Sequence, residues 1–379
     1  MLNKNYIKYI GVTFGSDPEV FLKKDGKVIG SEKVIPEIGF TSRGRTVWDL
    51  NGNSTRVPIY SVIRDGVQAE LNVLPHTCRQ SFSSHLASEF RLLASKLPKG
   101  VGVDFSATVD VTPEEMESLS PKSQAFGCAP SLNAYGDNEM SIQDASKYYK
   151  RSAGGHIHLG FRPTSPQHTT IILDILLGNT CVLLDRDEGN KERRKVYGKA
   201  GEYRIPDHGL EYRVLSNFWL RNYQTMSFVL AMARFAIAVA EDAEMSARLL
   251  ALVNLDKIRY AINNNDYRIA LENFGSIKDL VASMSHYSDD MRKENPVPYD
   301  DKIHAFLPLE GYRMDLFVKF MEKGLDHWFM PASLAYWVNY ALHQDPIPWG
   351  WEGFLTHKVA LEGVVDNAPK KVTRATFFN

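Results

Sequence analysis

Ala153-Gly154-Gly155-His156-Ile157-His158-Leu159-Gly160-Phe161 is an apolar, strand-like run that carries two imidazoles in alternation and is bracketed by glycines. Residues two apart in a strand share a face, so His156 and His158 point one way and Ile157 and Leu159 the other. Glycines on either side let a backbone or a ligand approach closely. Two imidazoles on one face suit a metal or a phosphate, because neutral imidazole ligates and imidazolium pairs with phosphoryl oxygens. A lone His is more often a satisfied core residue; the pair with its glycines favours the functional reading.

Working outward, the first half of the chain is made of short strand-like stretches separated by Gly, Pro, Asn and Asp. These are Tyr9 to Phe14, Val20 to Leu22, Lys27 to Ile29 behind an Asp25-Gly26 turn, Val67 to Val73, Gly102 to Val109 and Leu210 to Leu215. Helices are expected from Gln80 to Leu97 and from Gln167 to Leu184. The order is mixed, not regularly alternating, which predicts an α+β fold with a largely antiparallel sheet flanked by helices. From about residue 221 the periodicity is helical, in Met226 to Leu252, Lys257 to Asn273, Ser276 to Arg292, Leu316 to Gly324 and Pro331 to His343. Residues 1–220 therefore read as a catalytic sheet, and residues 221–379 as a helical portion packed on it or continuous with it. The Pro-, Asp- and Asn-rich stretch Asp289 to Asp301 is the best internal loop.

Composition narrows the function classes. The 379 residues are 44% hydrophobic, enough for one sizeable core or two modest ones, which excludes a disordered chain. Lys plus Arg total 44 against 45 Asp plus Glu, with no long run of one sign, so a dedicated nucleic-acid surface is not expected. Cys78, Cys128 and Cys181 lie too far apart for a zinc knuckle and read as reduced thiols. The opening Met1-Leu2-Asn3-Lys4-Asn5 reads as no signal peptide, and the apolar run Met226 to Ala240 holds Arg234 and is too short to span a bilayer. A cytoplasmic protein is expected. There is no GxxxxGK[ST] loop, no GxGxxG after a strand and no GxSxG elbow, which excludes the P-loop and argues against a dinucleotide fold and a serine hydrolase.

Other segments repeat the design of polar residues along one strand face. Gly15-Ser16-Asp17-Pro18-Glu19 sets two carboxylates two residues apart, about 6 to 7 Å at strand rise, where they could hold a divalent cation between them; the bland alternative is a polar turn capped by Asp17. Asp65-Gly66-Val67-Gln68-Ala69-Glu70-Leu71-Asn72 is a turn entering a strand with Gln68, Glu70 and Asn72 on one face. Arg193-Arg194-Lys195-Val196-Tyr197-Gly198-Lys199-Ala200-Gly201-Glu202-Tyr203-Arg204 reads either as a phosphate-facing loop or as a surface ion-pair ladder. Glu-Tyr-Arg recurs at Glu211-Tyr212-Arg213, again placing an acid and a guanidinium on one face.

In this order the motifs Gly-Ser-Asp-Pro-Glu-Val-Phe-Leu (15–22), Asp-Gly-Val-Gln-Ala-Glu-Leu-Asn (65–72), Gly-Gly-His-Ile-His-Leu-Gly (154–160), Tyr-Gly-Lys-Ala-Gly-Glu-Tyr-Arg (197–204) and Glu-Tyr-Arg-Val-Leu-Ser-Asn (211–217) resemble the phage-type COOH-NH2 ligases. These are type 2 amidoligases of the glutamine synthetase and glutamate-cysteine ligase superfamily. The resemblance implies a glutamine synthetase-like antiparallel sheet, ATP with two or more Mg2+ ions (or Mn2+), and an amide formed through an acyl phosphate. It also implies roles. Asp17, Glu19, Glu70, His156 and Glu211 would hold metal; His158, Arg193, Arg194 and Lys199 would hold the nucleotide; Arg213, Arg204 and Glu202 would act in catalysis, with Glu202 as the base for the amine. Asp17 stands where the glutamate-cysteine ligases generally have Glu, and its shorter side chain bears on direct metal contact. The partners expected are a carboxylate and an amine of unnamed identity, in the host cytoplasm if the protein is phage-encoded. Rival readings are a guanidino-kinase-like phosphotransferase on the same sheet, a His-x-His metal enzyme of cupin type without ATP, and a phage structural protein with a degenerate site.

Overall fold

A strand exposes N–H and C=O groups along both edges, so short strands persist only where neighbours pair with them. The computed structural model describes residues 12–48, 54–77, 79–126, 131–136, 148–283 and 332–340, and every strand pair among them is antiparallel. In chain order the strands are β1 (Phe14–Ser16), β2 (Glu19–Lys24), β3 (Lys27–Ile29), β4 (Phe40–Trp48), β5 (Ser54–Asp65), β6 (Gln68–Leu71), β7 (Val73–His76), β8 (Val101–Asp104), β9 (Thr108–Asp110), β10 (Leu132–Asn133), β11 (Lys150–Ser152), β12 (Ile157–Leu159), β13 (Glu202–Arg204) and β14 (Leu210–Tyr212). The helices are α1 (Arg79–Lys96), α2 (Pro113–Glu117), α3 (Pro121–Gln124), α4 (Pro166–Leu173), α5 (Asn179–Leu184), α6 (Gly189–Val196), α7 (Tyr223–Ala240), α8 (Ala243–Leu250), α9 (Leu255–Asn264), α10 (Tyr267–Ser283) and α11 (Leu334–Asn339). The α+β, antiparallel expectation is met at this level.

Two six-stranded sheets run in the orders β10-β13-β14-β12-β1-β7 and β3-β2-β6-β5-β4, the second completed by β8 on β2. At two bends the chain passes directly from one sheet to the other. β1 continues into β2 across Asp17-Pro18, and β6 continues into β7 across Asn72. The two bends lie side by side, since Leu71 N donates to the Pro18 carbonyl at 3.0 Å. The strict alternation of a strand is broken there. The β2–β3 hairpin forms as expected, with Asp25 and Gly26 at φ 51° and 77°, the left-handed pair that a two-residue hairpin turn needs.

Phe14, Ile157, Leu159, Leu210 and Tyr212 point from the first sheet into one apolar core. The same core continues through Met226, Val229, Leu230, Ala233, Phe235, Ile237, Ile258 and Phe274 of the helices that follow, and α7 is buried along nearly its whole length. Pro166–Leu184 is the described helical run long and apolar enough to cross a membrane, and 83% of its apolar window is buried within this fold. Several boundaries differ from expectation. Met226 to Leu252 is two helices, broken at Glu241-Asp242 where the Asp242 side chain caps α8. Asn265 adopts φ 50° and divides Lys257 to Asn273 into α9 and α10. The long β4–β5 hairpin has no counterpart in the sequence reading. Residues 9–11, Cys78, Cys128, 284–292, Asp289 to Asp301, Leu316 to Gly324 and the two ends of Pro331 to His343 lie outside the described residues.

Between α4 and α5 the helix widens into a single π turn, Asp174–Gly178. The turn brings the buried Asp174 under β14, where Tyr212 Oη donates to Asp174 Oδ1 at 2.7 Å. Burial pushes the Asp174 carboxyl up to about 7, with the Tyr212 hydrogen bond opposing that rise. Its folded pKa is thus raised, so the protonated form suits the native state and ionisation opposes folding. Native stability should lose Asp174's share as pH rises from about 4 to about 7, by at most a few kcal/mol at roughly 1.4 kcal/mol per unit. Urea denaturation of wild type and Asp174→Asn across that range should show the variant gaining relative stability with pH. A difference that stays flat would contradict this account.

Candidate active site

Register places Gly15, His158, Glu211 and Arg204 opposite one another across β1, β12, β14 and β13. Residues in such a row share a face, so His158, Glu211 and Arg204 line the side of the sheet away from the core. Gly15 keeps the place beside His158 clear, since a Cβ there would lie 3.4 Å from His158 Cβ. Glu211 is the hub: its Oε1 accepts from Arg204 Nη2 at 2.6 Å and from Arg213 Nη1 at 2.5 Å. His156 Nδ1 stands 3.4 Å from the same oxygen and 3.5 Å from Asp17 Oδ1. His158 Nε2 stands 3.2 Å from Asp17 Oδ1.

Carboxylates gather in two groups. Asp17, His158 and Glu211 form one, and Glu19, Asp65 and Glu70 the other, with the ligand atoms of each group within 4.8 Å of one another. The spacing of Asp17 and Glu19 would allow one cation between them or a polar turn, and the structure places the two acids in different groups. Pro18 occupies the bend between β1 and β2, so Asp17 turns to the first sheet while Glu19 stays opposite Glu70 in the second. Glu19 is fixed by Gly154 N, which donates to its Oε2 at 2.7 Å, and by Asn217 Nδ2, which donates to its carbonyl at 2.8 Å. Ser16 Oγ donates to the His156 carbonyl at 2.5 Å and clips the bend to the His strand.

The two groups differ in charge balance. Burial works against the Asp17 carboxylate, but His158 and His156 overcome it and hold Asp17 well below its ordinary range. Glu211 likewise ends low: burial opposes it, and His156, Arg204 and Arg213 prevail. Burial and the Arg213 charge bring His156 down to about 4, so its imidazole is neutral. In the second group the compensation falls short. Burial drives Glu19 well up, with Asp65 adding to the rise and Arg193 opposing it too weakly. Asp65 itself is raised mainly by burial, against the pull of Arg213 and Arg204. Burial followed by repulsion from Asp17, Asp65, Glu19 and Glu211 takes Glu70 to about 10. Such a group holds protons where a divalent cation fits, and its all-oxygen donor set suits Mg2+ or Mn2+.

Several expected site residues are used otherwise. The segment starting at Arg193 is no loop, because residues 189–196 form helix α6, which turns Arg193 and Arg194 inward. Arg193 donates through Nη1 to the Val214 carbonyl at 2.9 Å and through Nη2 to the Leu215 carbonyl at 2.8 Å. Arg194 Nη1 donates to Asn265 Oδ1 at 2.8 Å on the far side of α6. Both therefore brace the fold in place of gripping phosphate. Glu202 accepts from Gly198 N at 2.9 Å and Lys199 N at 3.1 Å, so its carboxylate anchors that turn and is poorly placed as a base. Lys199 meets Glu202 through its backbone, its N–H donating to the carboxylate and its carbonyl accepting from Glu202 N at 3.2 Å. Three neighbours escape the sequence reading. Asp65 looks like a turn residue only, although its register opposite Gln68 puts it on the face of Glu70. Tyr197 bonds His156 Nε2, and His208 stacks on His158 at 5.3 Å.

Half of this geometry, the row from His156 to Arg213, lies in a stretch with known relatives. Residues 134–299 match the phage phiEco32-like COOH.NH2 ligase-type 2 family. Three of the five motifs that carry the resemblance, those from residue 154 on, lie in that stretch. The matched COOH.NH2 ligase segment includes His156, His158, Glu202, Arg204, Glu211 and Arg213, while Asp17, Glu19, Asp65 and Glu70 precede it and reach the same site through β1, β2, β5 and β6. Among solved structures, the chain is similar to a bifunctional glutathione synthetase from Pasteurella multocida, at 12% identity and a TM-score of 0.43 over 94% of this chain and 53% of that one. The chain thus spans about half the length of that protein. A search of curated proteins finds no match.

Glu70 offers a direct test of the charge argument. Its raised pKa means that the folded state retains a proton the unfolded chain loses above about pH 4.5, so at neutral pH Glu70 opposes folding. Glu70→Gln should therefore melt at or above the wild-type temperature without divalent ions at pH 7, and lose most of the wild-type stabilisation by millimolar Mg2+ or Mn2+. Scanning calorimetry with and without the ion reads both. A variant that melts lower without metal and still responds fully would contradict the assignment.

Proposed function

We propose that the protein is an ATP-dependent carboxylate-amine ligase on a glutamine synthetase-like sheet, acting through an acyl phosphate. One observation carries the reading: two partly buried acidic groups, one charge-balanced by His and Arg and one not, flank a shared face at the junction of two antiparallel sheets. The ligase family match over residues 134–299 supports the joining of a carboxylate to an amine. Glu19, Asp65 and Glu70 would hold one divalent ion, and Asp17, Glu211 and the His pair a second. Bound there, the ions supply neutralisation of phosphate charge and polarisation of the transferring phosphoryl group.

The chain's own residues do the rest. Arg204, on the strand beside Glu211, offers a partly exposed guanidinium to an anionic group, and the buried Arg213 fixes Glu211 from behind. His156 stays neutral and hence able to donate or accept at the carboxylate pair. Burial of Glu19, His156, Glu211 and Arg213 keeps water away from an acyl phosphate. The same reading takes residues 1–220 as the catalytic sheet and 221–379 as a helical portion packed on it or continuous with it, at work in the cytoplasm, that of the host if the protein is phage-encoded.

Calorimetric titration with Mg-ATP should show saturable binding to wild type and none to Glu211→Gln. Phosphate release in the presence of acid and amine extracts should fall at least about 10²-fold in Arg213→Met, on the scale of removing a preorganised charge. Mass spectrometry should then find a condensation product. A stable phosphorylated product would assign a phosphotransferase in its place, and wild type that ignores Mg-ATP would remove the ligase reading.

A further inference from the structure

Tyr197 lies outside every role described so far, yet three separate observations converge on it. Its hydroxyl is hydrogen-bonded to His156 Nε2, the ring nitrogen that faces away from Asp17 and Glu211. Its ring packs against two guanidinium groups, Arg193 Cζ at 4.6 Å and Arg213 Cζ at 5.4 Å from the ring centre. Arg193 in turn is pinned by the carbonyls of Val214 and Leu215, so the clamp on the tyrosine is tied to the chain just after β14. Third, the hydroxyl reaches His156 over Gly154, where a Cβ would collide with Tyr197 Oη and stand 2.8 Å from His156 Nε2. A glycine, an aromatic ring and two cations are thus arranged around one hydrogen bond.

From this arrangement we infer that Tyr197 is a positioning residue, which holds the His156 ring so that Nδ1 is presented to the Asp17–Glu211 carboxylate pair as a ligand for a divalent cation. The inference rests on the proposed metal-bearing site and adds to it a residue outside the ligand set. The physical reason is that an imidazole can rotate about two bonds, and an outer hydrogen bond at one nitrogen selects the tautomer and orientation of the other. With Nε2–H donated to the tyrosine oxygen, the Nδ1 lone pair is left to bind a cation placed between the carboxylates. The cationic stretch that begins at Arg193 then acts through aromatic contact, and its first guanidinium braces the tyrosine without touching a ligand.

Tyr197→Phe removes only the hydroxyl and keeps the ring against its two arginines, so the variant should retain the wild-type melting temperature without metal to within a few degrees. Two measurements decide the matter. In metal-free full-length protein labelled with 15N-histidine, and assigned through His156→Asn, the His156 ring-nitrogen signals should move in Tyr197→Phe while those of His158 stay in place. Mn2+ binding followed by electron paramagnetic resonance should weaken about 10- to 100-fold, the usual scale for losing such an outer partner. Unmoved His156 signals, or Mn2+ binding as tight as wild type, would overturn the inference. Wild type that binds no Mn2+ would instead remove the metal site, and with it the ligand role of His156, whatever the nitrogen signals show. Gly154→Ala supplies a second variant: with the hydroxyl intact but its path obstructed, Mn2+ affinity should fall in the same direction, and unchanged affinity counts against the geometry.

Discussion

Repulsion between buried and half-buried carboxylates is the constraint around which this structure is arranged. Asp17, Glu19, Asp65, Glu70 and Glu211 approach one another in a region where water screens little, and like charges so placed cannot all persist without compensation. For Asp17 and Glu211 the fold supplies that compensation itself, through the His158 imidazole, whose pKa is raised, and the guanidinium groups of Arg204 and Arg213, while the neutral His156 adds a hydrogen bond. For Glu19, Asp65 and Glu70 the arginines within reach supply too little, and protons remain. Protonation of that group at neutral pH opposes folding, the kind of cost met where stability is given up for function.

The remaining architecture serves to hold those acids in place. Backbone donors from Gly154 and side-chain donors from Asn217 and Ser16 pin the bends next to the acids, so the acids do not relax apart. Behind the sheet, Tyr212 and Asp174 lock β14 from its core side through the π turn, while Glu211 and Arg213 work on the other face of the same short segment. Three consecutive residues thereby connect core packing to site electrostatics.

Much of the face is legible in the sequence because period-2 alternation is a local rule: His156 with His158, and Glu211 with Arg213, follow from it directly. Asp17 with Glu19 does not, since Pro18 sits at a bend that ends the alternation, and sequence spacing alone cannot show on which side of a bend a residue emerges. The cationic stretch misleads for another reason. Arg193 and Arg194 lie on a helix whose polar residues turn inward to satisfy backbone carbonyls and Asn265, a use of arginine that leaves no periodic trace. Asp65 is hidden by its turn context, because only strand pairing shows that it shares a face with Glu70. Among the described residues from 221 to 283 the chain is readable as helix, with breaks set by the Asp242 cap and the left-handed Asn265.

The paired bends at Pro18 and Asn72 have a consequence for how such a site can diversify. Each is the sole covalent span, one or two residues long, between the two sheets along its own segment, and the two are hydrogen-bonded to each other. Insertion of a residue in either would rephase one sheet against the other and carry a whole carboxylate group with it, whereas the outer strands and the β4–β5 hairpin can lengthen or shorten without touching the charged face. Evolutionary freedom in this scaffold is therefore peripheral, and the spacing of the two acid groups is the dimension least open to change.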